Sequence, residues 1–328
     1  MPAVVIIIVN WNGVSFIADC LDGIRRQTYG NFTVILVDNG SVDGSLGLVH
    51  RRYPEVETIP LKKNMGFAAA NNVVIRSVNT EYVALLNPDT IPDPRWLEQL
   101  VRALEKNPQA GSAASKMLLC GKPNFIDRAG DVYTTAGTAL LKGRGEPSNS
   151  FNQEEWVFGA CAGAALYRRC LFEDVGLFDE DFFLLYEDVD LSFRSQLAGY
   201  KCIYAPEAIV YHIGSSSIGD DTPTSVYYSH RNLEWVFIKN MPSSLIKRTI
   251  VPHIIYNIAA GMFFISKGRG GDCLRAKWDA FKGIRNVIRK RHKIQENKKV
   301  VDGYIWNLLE KEHLLPRLTR RLKTDSSS

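Results

Sequence analysis

Short apolar runs alternate with helical segments over the first 110 residues of the chain. Three runs, at 4–9, 33–37 and 82–86, are rich in aliphatic residues, and each stops at a polar turn. Between them, segments 16–26 and 67–78 show the three- and four-residue spacing of apolar positions that is typical of helices. Runs that are apolar on both faces and alternate with helices predict an α/β unit, with a mainly parallel sheet covered by helices.

Polar or aromatic residues follow the ends of these three runs. Trp11, Asp38 and Asp89 stand at those positions, and ligands of such sheets bind beyond the carboxyl ends of the strands. We therefore predict that the three residues belong to one site. Asp38 could accept hydrogen bonds from a nucleobase or a ribose, but an ordinary turn explains it equally well. Asp89 suits a divalent cation such as Mg²⁺, which takes one or two protein carboxylates together with substrate phosphates; the alternative is a capping or turn role.

The middle of the chain carries a second group of candidate side chains. Glu187 and Asp188 open a predicted helix that runs to Ala198, where the positive helix end stabilises an ionised carboxylate that could act as a general base. Capping of this helix is the structural alternative. Within the same helix, Asp190 and Arg194 have the spacing of an ion pair. His212 ends an apolar run; it would be a ligand only beside partners such as Asp89, and is otherwise an ordinary hydrogen-bonded histidine.

The character of the chain changes after Met241-Pro242. Residues 1–241 carry 21 Lys/Arg and 28 Asp/Glu, whereas residues 242–328 carry 19 and 7. The apolar stretch 250–266 is short for a bilayer span and contains Pro252, so we expect it to lie in a membrane interface rather than to cross.

Beyond this stretch, the pattern predicts two amphipathic helices. The first is basic and has apolar positions at Leu274, Trp278, Phe281, Ile284 and Ile288; the second covers 301–309. A basic amphipathic helix suits an anionic leaflet. The alternative is that its apolar side packs onto the preceding part of the chain or onto a second subunit.

Composition narrows the class of protein. The 328 residues are 45% hydrophobic and 23% charged, as in a folded globular chain. Six scattered cysteines without a Cys-x-x-Cys pair predict reduced thiols and a cytosolic location, and the first apolar run lacks the basic start of a signal peptide. No P-loop or Gly-x-Gly-x-x-Gly motif follows the strands, so a bound phosphate would need a metal for neutralisation. The basic segment lacks the features of a nucleic-acid-binding module.

The order of these motifs carries a family resemblance. Four blocks closely resemble the donor half of family-two inverting glycosyltransferases, namely 4–13, 37–45, 64–72 and 86–89. Three further segments resemble the acceptor half of the rhamnosyltransferase-like branch, namely 178–183, 186–194 and 210–212. The resemblance covers about residues 3–240.

The resemblance implies a GT-A nucleotide-diphospho-sugar transferase fold with a C-terminal helical extension. Residues 1–241 would form the catalytic domain, with a donor half at about 1–110 and an acceptor half at about 111–241. Residues 242–328 would contact the membrane surface or a second copy in a homodimer.

The resemblance also implies roles for single residues. Asp89 would bind Mg²⁺ or Mn²⁺ with help from His212, Asp188 would be the catalytic base, and Glu187 would orient the acceptor. This chain has Asn87 where the family's Asp-x-Asp motif usually begins, so its metal site carries one charge less. The nucleotide-sugar would contact Trp11, Asp38, Asn64, Gly66, Asn87 and Asp89. The acceptor would contact Trp156, Gly159 and Arg231.

The expected function is transfer of L-rhamnose from dTDP-rhamnose to a lipid-linked glycan, by a peripheral enzyme on the inner face of the cell membrane. One alternative is a transferase of the same family that uses a UDP-sugar. A sugar-phosphate nucleotidyltransferase would need a Gly-rich, Lys-bearing loop after the first strand, which this sequence lacks. A non-catalytic scaffold that binds glycan or membrane is the third possibility.

Overall fold

A mixed β-sheet forms the centre of the molecule. In the computed structural model, which describes residues 3–214 and 222–311, ten strands join in this sheet and two more form a separate ribbon. The strands are β1 (Val4–Asn10), β2 (Phe32–Asp38), β3 (Glu57–Pro60), β4 (Tyr82–Leu86), β5 (Thr90–Pro92), β6 (Ala110–Leu119), β7 (Lys122–Ala129), β8 (Asp131–Tyr133), β9 (Ala139–Leu141), β10 (Glu155–Val157), β11 (Ala164–Arg168) and β12 (Lys201–His212).

The strand order is β10-β12-β6-β11-β4-β1-β2-β3, with β5 added to β12 and β7 to β6, while β8 and β9 pair with each other. Strands β1 to β4 are parallel, and β6 and β12 run in the same direction because the antiparallel strand β11 separates them from β4. Six of the ten strands in the described sheet therefore point one way. The predicted, mostly parallel sheet is confirmed.

Helices cover both faces of the sheet. The helices are α1 (Ile17–Arg25), α2 (Ser45–Arg52), α3 (Phe67–Ser77), α4 (Trp96–Lys106), α5 (Arg169–Val175), α6 (Glu187–Leu197), α7 (Pro223–Asn240), α8 (Ser243–Ser266), α9 (Gly270–Lys282), α10 (Ile284–Glu296) and α11 (Asp302–Leu308). Along β1, Ile6 and Ile8 point into one core with α1, α2 and α4, whereas Val5 and Ile7 point into another with α3, α5 and α6. This alternation explains why the strand is apolar at every position.

The C-terminal helices differ from the sequence prediction in one respect. The helix expected across Leu274–Ile288 is two helices, α9 and α10, which meet at Gly283. A side chain at this position would collide with the Trp235 ring, because an added Cβ would lie 2.7 Å from Trp235 Cζ2. The close approach of α7 therefore requires the glycine, and the periodicity of the apolar residues does not reveal the break.

A third core joins the C-terminal helices to the rest of the molecule. It contains Phe193 of α6, Trp235 and Phe237 of α7, Val287 of α10 and Ile305 of α11. By contrast, Leu274 and Phe281 of α9 are 72% and 66% exposed, so these side chains do not pack onto the catalytic part of the chain. Helix α8 is the one helix in the described residues that is long and apolar enough to cross a membrane. Residues 312–328 of the predicted basic region lie outside the described residues.

Candidate active site

The carboxyl ends of β1 and β2 carry the residues predicted to hold a nucleotide. Asn10 pairs with Asp38 in the parallel register, and its amide donates a 3.3 Å hydrogen bond to Asp38 Oδ1. The Ser41 N–H donates to Asp38 Oδ2 at 3.2 Å. Asp38 is buried in this polar network, whereas the Trp11 ring beyond the end of β1 is 43% exposed. The two predicted nucleotide residues thus lie at neighbouring strand ends, one fixed and one open to solvent.

Asn64 and Gly66 shape the loop before α3. Asn64 Oδ1 accepts from the Asn39 amide and from the Gly66 N–H, at 3.0 and 2.8 Å. Gly66 has a φ of +83°, and an added Cβ would lie 2.4 Å from the carbonyl oxygen of Phe183. Only glycine both adopts this positive φ readily and has no Cβ to collide with the Phe183 carbonyl. These two positions hold the loop against the segment around Phe183.

Asp89 and His212 meet at the end of β4 and β12. Asp89 is buried, and its Oδ2 lies 3.6 Å from His212 Nε2. Asp89 directly precedes β5, and His212 aligns with Thr90 where β5 pairs antiparallel with β12. The sequence prediction that these two side chains share one site agrees with this distance.

Asp127 of β7 completes this group. Its Oδ2 lies 3.0 Å from His212 Nδ1, on the opposite side of the ring from Asp89. Burial alone would lower the pKa of His212, but hydrogen bonds to Asp127 and Asp89 and their negative charges raise it to about 9. Burial opposes ionisation of Asp127, yet His212 and the neighbouring arginines bring the pKa of this carboxyl below its usual value.

The two predicted catalytic acids begin α6. Asp188 Oδ1 accepts from its neighbour's N–H, that of Val189, at 2.8 Å, and Oδ2 accepts from the Ala162 N–H at 3.1 Å. These amides and the positive end of the helix stabilise a negative charge on Asp188. Glu187 is buried, and burial followed by the charge of Asp188 raises its pKa well above the usual value. The pair thus combines a carboxylate bound by amides with a carboxyl that favours its neutral form.

A short segment between β10 and β11 connects the two groups of acids. The Asn87 N–H donates to the Gly163 carbonyl oxygen at 2.8 Å, and the adjacent Ala162 N–H donates to Asp188. An added Cβ on Gly163 would lie 3.1 Å from the Asn87 amide nitrogen. The motif that ends at Asp89 and the motif that begins α6 therefore bond to two adjacent residues, Gly163 and Ala162.

Three residues of this region were missed by sequence analysis, namely Asp127, Arg128 and Asp131. Arg128 donates to Asp131 at 3.1 Å, and its charge acts on Asp188. Among the described residues, Arg128 Nε, Asp131 Oδ2 and Glu187 Oε2 are buried without a hydrogen-bond partner. Polar atoms buried in this way are costly unless a ligand or water satisfies them. The one signal in the sequence was the adjacent charged pair Asp127-Arg128, which follows the apolar residue Ile126.

The segment before α6 has an unusual backbone. Phe183, Leu185 and Tyr186 have φ values of 65°, 64° and 71°, a conformation that costs energy for residues other than glycine. The buried Asn232 side chain of α7 donates to the carbonyl oxygens of residues 182, 184 and 185 at 2.7–3.0 Å. Arg231 donates to the carbonyls of residues 181 and 182. Helix α7 therefore fixes the strained chain that leads directly into Glu187 and Asp188.

The other predicted acceptor residues lie in different surroundings. An added Cβ on Gly159 would lie 2.3 Å from Ser192 Oγ, so this glycine permits close packing on α6. Trp156 lies on β10, opposite Ile203 of β12, and Lys201 lies 4.9 Å from its ring centre. Ile203 and His212 pair with Ala113 and Leu119, which are six positions apart along β6 and so roughly 20 Å from each other. Gly159 therefore lies against α6, and Arg231 contacts the segment that leads into α6. Trp156 lies beside the part of β12 that is distant from His212.

Comparison with known proteins gives the family. Residues 5–176 match the model of the family described as "Glycosyl transferase family 2". An N-acetylglucosaminyl-diphospho-decaprenol L-rhamnosyltransferase of Mycobacterium tuberculosis is 30% identical over an alignment of 244 residues that covers 64% of this chain and 76% of the relative. A poly-beta-1,6-N-acetyl-D-glucosamine synthase of Staphylococcus epidermidis is 22% identical over 64% of this chain and 49% of its own.

Solved structures agree on the fold. A mannosyltransferase of Pyrobaculum calidifontis, in complex with GDP-Man and Mn²⁺, matches 90% of this chain and 86% of its own with a TM-score of 0.55 and 17% identity. The structure of GalNAc-T7 with UDP, GalNAc and Mn²⁺ matches 74% of this chain and 49% of its own, with a TM-score of 0.60 and 14% identity. The chain therefore belongs to glycosyl transferase family 2 and has the GT-A fold that its motifs predicted.

Proposed function

We propose that this glycosyltransferase is an inverting enzyme that moves a sugar from a nucleoside diphosphate to a hydroxyl of a lipid-linked glycan. The observation that carries the proposal is that both acidic motifs bond to one short segment, Asn87 to Gly163 and Asp188 to the adjacent Ala162. L-Rhamnose from dTDP-rhamnose is the first candidate donor, because the M. tuberculosis relative is named for rhamnosyl transfer to a diphospho-decaprenol acceptor. Synthesis of a cell-surface polysaccharide is the corresponding role.

The donor would lie across the ends of β1, β2 and β4. The exposed Trp11 ring offers a stacking surface for a base, and the fixed carboxylate of Asp38 offers an acceptor for base or ribose donors. Asn64 and Gly66 would form the loop around the donor, and Asn87 would face its diphosphate. Trp156, Gly159 and Arg231 as contacts of the acceptor remain predictions.

The side chains around Asp89 are suitable ligands for a divalent metal, Mg²⁺ or Mn²⁺. Among the described residues no cluster of three His, Cys, Asp or Glu side chains is arranged to hold a metal. However, such a cation needs only one or two protein ligands when phosphates supply the others. Asp89 and His212 Nε2 would be these ligands, and Asp127 would orient the imidazole through Nδ1, as second-shell carboxylates commonly do. When bound, the metal would act as a Lewis acid that stabilises the departing diphosphate.

The protein's own groups would carry out the proton transfer. Asp188 would take the proton of the acceptor hydroxyl as its oxygen attacks the anomeric carbon, while the nucleoside diphosphate leaves from the opposite face, so that the configuration inverts. Glu187, in its neutral form, would donate a hydrogen bond that orients the acceptor. The strained segment fixed by Asn232 would hold both acids in place.

The proposal is tested by a transfer assay with extraction of the lipid product. The purified protein is incubated with Mn²⁺, a polyprenyl-diphospho-GlcNAc acceptor and radiolabelled dTDP-rhamnose, UDP-GlcNAc, UDP-Gal or UDP-Glc. Label from dTDP-rhamnose should enter the lipid fraction, and NMR of the product should show an inverted anomeric configuration. Asp188→Asn should lower kcat about 100-fold or more, the range for loss of a general base.

The matched control is Glu98→Gln, which changes an exposed acid in the first turn of α4 and should retain full activity. Absence of transfer from every donor, or full activity of Asp188→Asn, would refute the enzyme mechanism and favour a scaffold. Transfer from a UDP-sugar alone would refute rhamnose as the donor. The named activity of the S. epidermidis relative makes UDP-GlcNAc the second candidate.

We also propose that the enzyme binds the inner face of the cell membrane from the cytoplasm through residues 242–328. The support is a set of exposed apolar side chains on α8 and α9, including Val251, Ile255, Met262 and Trp278, all at least 50% exposed. Twelve Lys/Arg and three Asp/Glu lie between residues 243 and 296. Apolar side chains surrounded by positive charge are typical of surfaces that dip into an anionic leaflet.

A further inference from the structure

An open apolar groove runs between α8 and α9, outside the site described above. Its volume is about 860 Å³, within the range of sites that enclose small ligands. Its walls are isoleucine, leucine and phenylalanine side chains, chiefly Ile250, Ile254, Ile258, Ile265, Leu274 and Phe281. Gly261 leaves a gap in the α8 wall, because an added Cβ there would meet no atom within 4 Å.

The polar groups at the base of the groove bond to one another. Lys277 donates to Glu234 Oε1 at 2.6 Å and to Asn257 Oδ1 at 2.5 Å, and Glu234 Oε2 lies 2.9 Å from His253 Nε2. Lys277 and His253 lower the pKa of Glu234 to about 2 against the opposing effect of burial. Because these charges are neutralised within the cluster, the groove offers an apolar ligand a compatible surface.

One end of the groove is positively charged. Lys267 and Arg269 lie in the turn between α8 and α9, and Gly270 and Gly271 begin α9 and line the groove. First-turn amides of a helix have no partner within that helix, and its dipole favours anions. Asp272 is the acidic residue in this turn. An apolar channel that ends at cations and helix amides complements a lipid with an anionic head.

Helix α7 separates the groove from the catalytic acids. Glu234 and Ile238 of α7 line the groove, while Arg231 and Asn232, on the same helix, bond to the strained segment before Glu187. A ligand in the groove would therefore lie against the helix that positions the active site.

We propose that this groove binds the isoprenoid chain of the lipid-linked acceptor, with the chain's diphosphate near Lys267, Arg269 and the start of α9. This inference rests on the proposed function, which supplies a polyprenyl diphosphate as acceptor. The concave shape favours a single chain over the flat surface of a leaflet, and the exposed side chains Ile255 and Trp278 lie outside the groove, where a leaflet can contact them.

The test fills the groove without making it polar. Gly261→Trp should occupy the gap on α8, while Ile255→Trp is the matched control, an equally apolar change on the same helix outside the groove. Binding of monomeric geranylgeranyl diphosphate, the probe used, is measured by calorimetry in the absence of vesicles. The wild-type protein and Ile255→Trp should bind the probe equally, and Gly261→Trp should bind at least tenfold more weakly. Ile258→Asp provides a second variant, with the same expected loss.

Further measurements test the two halves of the proposed site and separate the groove proposal from the proposed function. Inorganic diphosphate and geranylgeraniol should each bind more weakly than the probe, because each lacks one half of the site. Equal binding by Gly261→Trp and wild type, or no binding by wild type, would overturn the proposal. Thermal stabilisation by dTDP or UDP with Mn²⁺ is measured on the same variants and should be unchanged. If the wild type fails to bind the probe but is stabilised by the nucleotide, the groove proposal alone is refuted, whereas absence of nucleotide stabilisation of the wild type would count against the proposed function.

Discussion

Three buried polar side-chain atoms lie close to Asp188. Arg128 Nε, Asp131 Oδ2 and Glu187 Oε2 have no hydrogen-bond partner among the described residues. Burial raises the pKa of Asp131, and the charge of Asp188 adds to the effect, while Arg128 opposes it. A buried polar atom without a partner costs about 1–3 kcal/mol. In a sugar transferase, the hydroxyls of an acceptor are the groups that can satisfy such atoms, so this cost is consistent with a binding pocket.

Ionisation of Glu187 should lower the free energy of unfolding as the pH rises. Its pKa in the folded state lies well above the usual glutamate value of 4.5, so the folded protein keeps a proton that the unfolded chain has lost. The stability of the wild type then falls by about 1.4 kcal/mol per pH unit between the two pKa values. Glu187→Gln removes this titration. Its Tm should exceed that of the wild type, and the difference should be larger at pH 8 than at pH 5, as measured by calorimetry.

Glu180→Gln is the control, because the pKa of Glu180 is shifted in the direction opposite to that of Glu187. Hydrogen bonds from Asn72 and Arg76 hold the pKa of Glu180 below its usual value. Its ionised form stabilises the fold above the unfolded pKa, and this contribution is lost as the pH falls through the folded pKa. Glu180→Gln should thus lower the Tm at pH 8 and have less effect at acid pH. An equal Tm difference for Glu187→Gln at both pH values would contradict the raised pKa of Glu187.

The strands and helices of the donor half were predictable because burial on both faces leaves a continuous apolar run. Strands β1, β2 and β4 begin and end within one residue of their predicted bounds. Local spacing was equally informative within α6, where Arg194 Nε bonds to Asp190 Oδ2 at 2.9 Å as predicted. These features depend on neighbours in the sequence.

The contribution of β7 and α7 to the site was not predictable from local patterns. Strand β7 begins with exposed residues and reaches the site only through antiparallel pairing with β6, so nothing near Asp127 reveals its approach to His212. Asn232 resembles any polar residue on a helix, and its bonds to residues 182–185 join segments almost fifty positions apart. The break at Gly283 depends in the same way on Trp235.

Removal of the Asn232 side chain should reduce catalysis more than stability. Asn232→Ala would leave three carbonyl oxygens in the strained segment without their donor, at a cost of about 1–3 kcal/mol in the free energy of unfolding. Because small displacements of catalytic groups strongly reduce rates, kcat should fall at least tenfold while the KM for the donor changes little. Kinetics and urea unfolding of the same preparation measure both effects.

Asn72→Ala is the matched control for this variant. Asn72 is also buried, and it bonds to Phe178 and Glu180, upstream of the strained residues. It should lose similar stability with a smaller effect on kcat. Equal losses of kcat in the two variants would show that Asn232 acts through general stability rather than by positioning the acids.

The molecule as a whole separates its charges and its apolar surface. The part of the chain before residue 242 is net acidic, whereas the part after it is strongly basic. Exposed apolar side chains cluster on α8 and α9, while α10 and α11 contribute Val287 and Ile305 to a core shared with α7. The two alternatives considered for the C-terminal region thus apply to different helices. Helices α10 and α11 pack on the protein, and α8 and α9 carry the surface that needs a partner.

A bilayer as that partner predicts a specific loss of binding. Ile255→Asp combined with Trp278→Asp removes two exposed apolar side chains that lie outside the groove. Full burial of such a side chain contributes about 1.5–3 kcal/mol, so losing two that are partly inserted should lower partitioning onto phosphatidylglycerol vesicles about tenfold.

Val42→Asp, at a 90% exposed position after β2, should float like the wild type. High salt should weaken but not abolish wild-type flotation, since screening affects the basic residues and not the apolar ones. If the double variant floats normally but sediments as a monomer where the wild type sediments as a dimer, the surface is a homodimer interface instead.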